Sequence, residues 1–318
     1  MTRARPAAIA CLLVAALVAA ARDAPAPREV AITFDDLPIA GVLPRDIASS
    51  RALTTGLLRA IGRRRVPVTG FVNEGKVHTL DGSIDRDRVG LLERWLDAGA
   101  ELGNHGYSHL DLHSTPIDDF EADVAKGEAI ARRLSAARGR PFRFFRHPFL
   151  HTGRSVETRA ELNRFLTDHG CRVAPVTIDN DEYIFAGAYD RALARGARDA
   201  AARVADAYVP YMEAKVVYFE RNARELFGRD IRQILLVHAN MLNADRFGDL
   251  AEMFERHGYR FITLERALED PAYQSADTYV GPGGITWLHR WALTRAVPKT
   301  FFAGEPETSA FVAELARP

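Results

Sequence analysis

Segments of strand-like composition alternate with segments of helical periodicity over most of the chain, and this alternation restricts the fold more than any other feature. Such alternation is typical of an α/β protein with a parallel sheet and helical crossovers, either open or closed as a barrel. The apolar content of 47% is ample for the core of one large domain. The predicted strands cover 30–34, 66–72, 101–103, 142–145, 172–178, 233–237 and 260–262, and the predicted helices cover 50–63, 88–98, 118–136, 155–168, about 189–227, and 244–257.

Five of the predicted strands are followed directly by a polar residue that is unusual at the end of an apolar segment. In parallel α/β folds the carboxyl ends of the strands meet on one face, where functional sites are built. Solvation alone explains five such residues poorly, so we expect them to share one site. The five are Asp35, His105, Arg146, Asp179 and His238.

Asp35 and Asp36 form an adjacent pair of carboxylates at the end of the first strand. Neighbouring acids repel each other and are costly to desolvate, so such a pair is expected where a cation separates their roles. One acid then binds the metal, and the other accepts a proton from a metal-bound water. The alternative is a solvated strand end before the turn at Pro38, and the pair alone does not decide between the two.

His105 and His109 form an H-x-x-x-H pair. A spacing of four places both imidazoles on one face of a helical turn, close enough to share a metal. With Asp36 they make two nitrogens and one oxygen, which is the three-ligand set of a catalytic zinc with a free position for water. The alternative is a pair of ordinary surface histidines.

Three further positions complete a candidate acid–base system. Arg146 is expected to pair with Asp35 and keep it ionised, unless it forms an ordinary surface ion pair. His238 follows an apolar strand and is a candidate acid for a leaving amine or alkoxide, or else a core histidine bonded to backbone. Asp179 is the first candidate to orient His238, and Glu182 is the second.

Residues 1–21 read as a secretory signal peptide, with a basic start, an apolar run and small residues for cleavage. Cleavage removes two arginines and no acids, so the charge becomes 40 minus 42, or −2. This balance predicts neither nucleic acid nor an anionic membrane as a partner, and no membrane span is expected in the mature chain. We therefore expect a periplasmic or secreted protein, with its oligomeric state left open.

Five motifs occur in an order that resembles the polysaccharide deacetylases of carbohydrate esterase family 4. They are Thr-Phe-Asp-Asp, His-x-x-x-His, Arg-x-Pro-Phe, Asp-x-x-x-Tyr and Leu-x-His, and the resemblance covers about residues 28–265. It implies an irregular (β/α) barrel with fewer than eight repeats. It also implies a divalent metal, with zinc as the first candidate and cobalt or nickel as alternatives, and an acetylated carbohydrate as substrate.

The resemblance also implies a role for each matching residue. Phe149 would stabilise the oxyanion through its backbone N–H, and Tyr183 stands where many members have a pocket-wall Trp. The sequence departs from the usual pattern at Gly106 and Phe149, and the resemblance gives no role to His147 or His151. The remaining implied roles are Asp35 as base, Asp36, His105 and His109 as metal ligands, Arg146 as the partner of Asp35, His238 as acid and Asp179 as its support.

We therefore predict an exported, metal-dependent deacetylase that removes acetyl groups from a glycan by attack of a metal-bound water. One alternative is an amidohydrolase of the same fold that acts on small cyclic or formyl amides. A second alternative is a catalytically inactive glycan-binding protein. The presence of the whole set of site residues disfavours the second alternative.

The expected organisation is a signal peptide at 1–21, a linker at 22–27, a catalytic domain at 28–270 and a C-terminal extension at 271–318 packed on the barrel. The segment 184–230 is longer than one crossover needs, so we expect Pro210 to divide it into two helices. One helix would cover the sheet and the other would wall the pocket. The alternative is a segment packed wholly on the outside.

Overall fold

A computed structural model describes residues 28–43 and 45–317 of the chain. The predicted signal peptide at 1–21 and the linker at 22–27 lie outside the described residues. Within the described part of the chain, no helix is both long and apolar enough to cross a membrane.

Seven strands form one sheet in which every pairing is parallel. The order is β5-β4-β3-β2-β1-β6, and β7 pairs with the start of β1. The central strands β1, β2 and β6 are buried along almost their whole length, as expected in a barrel that helices cover outside and side chains fill inside. The strands are β1 (Arg28–Leu37), β2 (Val68–Val72), β3 (Glu101–Asn104), β4 (Phe144–Phe145), β5 (Arg172–Val173), β6 (Gln233–His238) and β7 (Tyr259–Phe261).

The two ends of this sheet meet through the segment that follows β5. The N–H groups of Thr177 and Ile178 both donate to the carbonyl of Ile234 at 3.0 Å. Ile178 also forms an isolated parallel bridge with Leu235. The sheet therefore curls into the irregular (β/α) barrel with fewer than eight repeats that the resemblance implied, and this prediction is confirmed.

Helices connect the strands and cover the barrel. The predicted helix 118–136 is two helices, because the chain turns at Gly127 between them. The predicted strand 172–178 is much shorter, because only its first two residues pair with β4. The helices are α1 (Ile47–Arg64), α2 (Arg86–Asp97), α3 (Ile117–Lys126), α4 (Ala129–Ala136), α5 (Val156–Asp168), α6 (Glu182–Ala194), α7 (Arg198–Phe227), α8 (Met241–Arg256), α9 (Leu264–Leu268), α10 (Trp287–Thr294) and α11 (Ala310–Leu315).

The prediction that Pro210 divides the segment 184–230 into two helices is wrong. The helix break falls at Gly196, which has a φ of 70°, and α7 then runs for 30 residues with Pro210 inside it. Proline removes the hydrogen bond to the carbonyl four residues earlier. Here Pro210 and Asp206 are both exposed, so that carbonyl does not lie in the core.

Residues 271–317 lie against the barrel. The Trp287 N–H donates to the carbonyl of Val176 at 2.8 Å, next to the closing segment of the sheet. Trp291 is buried and packs edge-to-face on Phe227 and Tyr273. The aromatic residues of α10 therefore face a core.

Gly127 lets the turn between α3 and α4 approach the loop that follows β3. A Cβ atom at this position would overlap the backbone of Gly106 and would lie 2.5 Å from the Tyr107 nitrogen. The neighbouring Asp123 carboxylate accepts the N–H groups of Tyr107 and Ser108. The α3–α4 turn thus holds the loop between His105 and His109.

We expect Gly127→Ala to lower the free energy of unfolding by about 1–3 kcal/mol, because backbone cannot move aside as a flexible side chain can. The matched control is Gly90→Ala in α2, where an added Cβ meets nothing within 4 Å. The free energy of unfolding of Gly90→Ala should rise by roughly 0.5–1 kcal/mol. Urea denaturation of both variants measures the difference. Equal stability would show that the loop tolerates displacement.

Candidate active site

The carboxyl ends of the strands enclose a cavity of about 490 Å³. It contains most of the residues that the sequence analysis selected, so these residues do share one site. No residue of the segment 184–230 is among those that line it, and Tyr208, Tyr211 and Tyr218 are buried elsewhere. The expectation that α7 walls the pocket is therefore corrected, since α7 packs against α6 and α8. The predicted residues that line the cavity are Asp35, Asp36, His105, His109, Phe149, Asp179, Tyr183 and His238.

Asp35 and Asp36 both line the cavity, although successive side chains of a regular strand point to opposite faces. The register of β1 shifts between Phe34 and Leu37, and Asp36 has a φ of 67°. An irregularity of this kind re-aims a side chain at a strand end. Both carboxylates consequently face the same site.

The Asp36, His105 and His109 side chains converge on one point. Asp36 Oδ1 lies 3.8 Å from His105 Nε2 and 3.7 Å from His109 Nε2. Two metal bonds of about 2.0–2.1 Å at a tetrahedral angle separate their donor atoms by roughly 3.3 Å, which is close to these distances. His105 Nδ1 donates to the carbonyl of Arg146 at 2.8 Å, so its Nε2 carries the lone pair.

The charge states of these groups also suit a cation. Burial lowers the pKa of His105, and burial together with the neighbouring His105 lowers the pKa of His109 to about 4. Burial opposes ionisation of Asp36, yet Lys76 and the nearby histidines hold its pKa well below its usual range. A metal requires neutral imidazoles and an ionised carboxylate, so the donor set fits a divalent cation.

Lys76 is a member of the site that the sequence analysis missed. Its Nζ donates to the Asp36 carbonyl at 3.0 Å and lies 3.5 Å from Asp36 Oδ1. It follows β2, whose end carries no other polar group of the site. Its position just after a strand was the only signal in the sequence.

Arg146 lies below the cavity and holds Asp35. Its side chain is completely buried, and Nη1 contacts both carboxylate oxygens of Asp35 at 3.2 and 3.3 Å. Nε donates to the carbonyl of Ala174 at 2.8 Å, and Nη2 donates to Thr33 Oγ1 at 3.1 Å. These bonds fix the direction of Asp35, whose Oδ2 is 3.9 Å from His105 Nε2.

His238 lies beside Asp35 on the neighbouring strand, where the two residues are partners in the register. Its Nδ1 donates to Glu182 Oε2 at 2.7 Å, and Asn240 and Asn243 donate to the other oxygen of that carboxylate. Burial opposes protonation of His238, but Glu182 outweighs it and raises the pKa to about 9. His238 is therefore a cation at neutral pH and has a proton to donate.

The residue that orients His238 is Glu182, the second candidate, and not Asp179, the first candidate. Asp179 lines the cavity, but within the described chain its side chain bonds only the N–H of Asn180, at 2.9 Å. Burial raises its pKa to about 6. The start of α6 instead brings Glu182 to the end of β6, because Asn180 donates to the Leu236 carbonyl there.

Phe149 and Tyr183 stand at the mouth of the cavity, where both are more than half exposed. Phe149 has a φ of 57°, and its N–H has no hydrogen-bond acceptor among the residues that the structure describes. His147 lies deeper, fully buried, and its Nδ1 likewise has no partner in the described chain.

Comparison with known proteins relates the first part of the chain to a family. Residues 22–166 match the family model described as polysaccharide deacetylase. The matching family is the one that the five sequence motifs resemble. The matched region includes the donor set and Arg146. The matched region ends before Asp179 and His238, so only the structure shows that these two residues line the same cavity.

Solved structures with a similar chain course include a peptidoglycan deacetylase from Bacillus subtilis, with 20% identity over 77% of this chain and 92% of that chain and a TM-score of 0.48. A family 4 acetyl xylan esterase from Clostridium thermocellum in complex with cobalt has 18% identity over 76% and 91%, with a TM-score of 0.48. A family 4 pseudoenzyme from Bacillus anthracis has 16% identity over 77% and 66%, with a TM-score of 0.46.

We expect Glu182→Gln to lower the pKa of His238 from about 9 by more than about one unit. The amide removes the negative charge and offers an N–H where Nδ1 needs an acceptor, while burial acts unopposed. Asp179→Asn is the matched control and should change this pKa far less. NMR titration of His238 in chelator-treated protein measures both. A larger shift in Asp179→Asn would return the supporting role to Asp179.

Proposed function

We propose that this chain is an exported, divalent-metal-dependent hydrolase that removes acetyl groups from a glycan. The observation that carries the proposal is the pairing of a base and an acid beside the donor set. Asp35 and His238 are neighbours on adjacent strands, and Asp35 Oδ2 lies 3.9 Å from His105 Nε2. The predicted signal peptide at 1–21 supports export, and zinc is the proposed metal, with cobalt and nickel as alternatives.

The attack on the acetyl carbonyl depends on Asp35. Arg146 contacts this carboxylate and fixes its direction, so it accepts a proton from the attacking water. A divalent cation held by Asp36, His105 and His109 would lower the pKa of water and polarise the carbonyl. The other roles belong to the chain's own residues.

Collapse of the tetrahedral intermediate depends on His238. The protonated imidazole donates its proton to the leaving amine or alkoxide, and acetate departs. Glu182 stabilises the imidazolium until that moment. The free N–H of Phe149 donates to the oxyanion, a role that suits a preorganised backbone donor.

The alternatives from the sequence analysis gain no specific support from the structure. An inactive binding protein would not need the buried Glu182 that keeps His238 protonated. An amidohydrolase of the same fold shares this chemistry and differs only in substrate. Acetate release from a panel of acetylated glycans and small amides separates the three functions.

We expect His105→Ala to lose most of its bound metal, because two of three ligands do not hold a divalent cation tightly. The matched control is His257→Ala, which removes a histidine that contacts Glu213 on the surface. Elemental analysis of purified protein measures the metal, and acetate release measures turnover. Wild-type metal content in His105→Ala would contradict the proposed ligand set.

We expect Asp35→Asn to keep its metal and to lose roughly 10²–10⁴-fold in kcat, since that is the usual contribution of a general base. Elemental analysis and acetate release are measured on the same preparation. If the metal is lost together with the activity, Asp35 is a ligand and its role as base must be abandoned.

A further inference from the structure

A second cluster of polar residues lies beside the cavity and takes no part in the proposed chemistry. It consists of Asp111, His113 and His151. Asp111 Oδ1 accepts the His151 Nδ1–H at 2.7 Å and the backbone N–H of His113 at 2.7 Å. The two imidazole rings are stacked, with centroids 3.9 Å apart and planes at 6° to each other.

The stacked rings argue against a metal in this cluster. The three residues each offer a donor atom, and these atoms lie within 4.8 Å of one another. However, the lone pair of an imidazole nitrogen lies in the plane of its ring. The lone pairs of two stacked parallel rings therefore lie in two separate parallel planes. The two lone pairs cannot both point at one ion.

The cluster joins two loops that carry proposed site residues. Asp111 follows His109 in the loop after β3, and His151 follows Phe149 in the loop after β4. The Phe149 ring lies between the two loops, with its centroid 4.4 Å from that of His109 and 5.7 Å from that of His151. The hydrogen bond between Asp111 and His151 thus fixes one loop relative to the other.

The loop after β4 has a strained conformation that the surrounding structure must hold in place. Phe149 and Leu150 have φ values of 57° and 55°, a left-handed region that residues with a Cβ rarely adopt. Gly284 packs on its other side, where an added Cβ would overlap the Phe149 carbonyl. In this conformation the Phe149 N–H has no acceptor among the described residues and borders the cavity.

We propose that Asp111 and His151 form a positioning pair that holds the Phe149 N–H where the oxyanion develops. The inference rests on the proposed function, because it is the deacetylation reaction that gives this N–H a role. Neither residue of the pair touches the reacting atoms. The pair acts by keeping the loop after β4 in its left-handed conformation.

The kinetic test is a matched pair of variants at position 111. Asp111→Ala should lower kcat by roughly tenfold or more with little change in KM, less than the 10²–10³-fold cost of losing an oxyanion donor. Asp111→Asn should restore most of kcat, because its amide oxygen still accepts both N–H groups. His151→Leu removes the same bond from the other side and covers the case in which Asp111→Ala does not fold. Asp85→Ala, which removes a helix-capping carboxylate away from the cavity, should leave kcat unchanged.

Hydrogen exchange of the peptide that covers 147–153 tests the pair without any substrate. Exchange should be faster in Asp111→Ala and His151→Leu and near wild type in Asp111→Asn. This readout separates the inference from the proposed function, because a wild-type protein that releases no acetate overturns only the latter. Unchanged exchange in the first two variants would overturn the pair. Loss of a second metal equivalent in Asp111→Ala would also overturn it and would assign the cluster to metal binding.

Discussion

The buried guanidinium of Arg146 is the interaction on which the site depends. It bonds Asp35 and Thr33 on β1 and the carbonyl of Ala174 after β5, so it ties together opposite parts of the barrel wall. A buried charge is costly to desolvate, and its removal would leave Asp35 buried without a partner. The planar fork of arginine reaches these three acceptors from three separate nitrogens in a fixed geometry, whereas the donors of lysine all lie on one nitrogen. The same buried guanidinium therefore both positions the proposed base and stabilises the core of the barrel.

The second constraint is the separation of proton affinities within one cavity. Burial favours neutral His105 and His109, whereas Glu182 makes His238 a cation although it is buried too. The difference arises from a single carboxylate placed against one imidazole. Parallel strands in register then bring the cationic imidazole beside Asp35. Pairs of groups whose proton affinities are driven apart in this way are suited to acid–base work.

The loops contribute a third layer, which controls direction rather than charge. Asp36, His109, Phe149 and Leu150 all have positive φ values, and they lie at the end of β1 or in the loops after β3 and β4. Such conformations persist only where the surroundings determine them. Here the surroundings include Gly127 against the loop after β3, Gly284 against Phe149, and the bond between Asp111 and His151.

The sequence by itself determined a parallel α/β fold and the composition of its active face, because the ends of parallel strands share an edge and five of them carry a polar residue. Whether the sheet is open or closed did not follow from the alternation, and the barrel was implied only by the family resemblance. The tertiary structure alone decided which partner each residue takes. Glu182 rather than Asp179 reaches His238, across 56 positions of sequence, because the start of α6 is anchored on β6. Pro210 continues a helix because it faces solvent. Lys76 contacts Asp36, and Asp111 contacts His151, and each pair is separated by 40 positions in the sequence. Local sequence patterns do not predict such contacts, because the contacts depend on where distant segments of the chain pack.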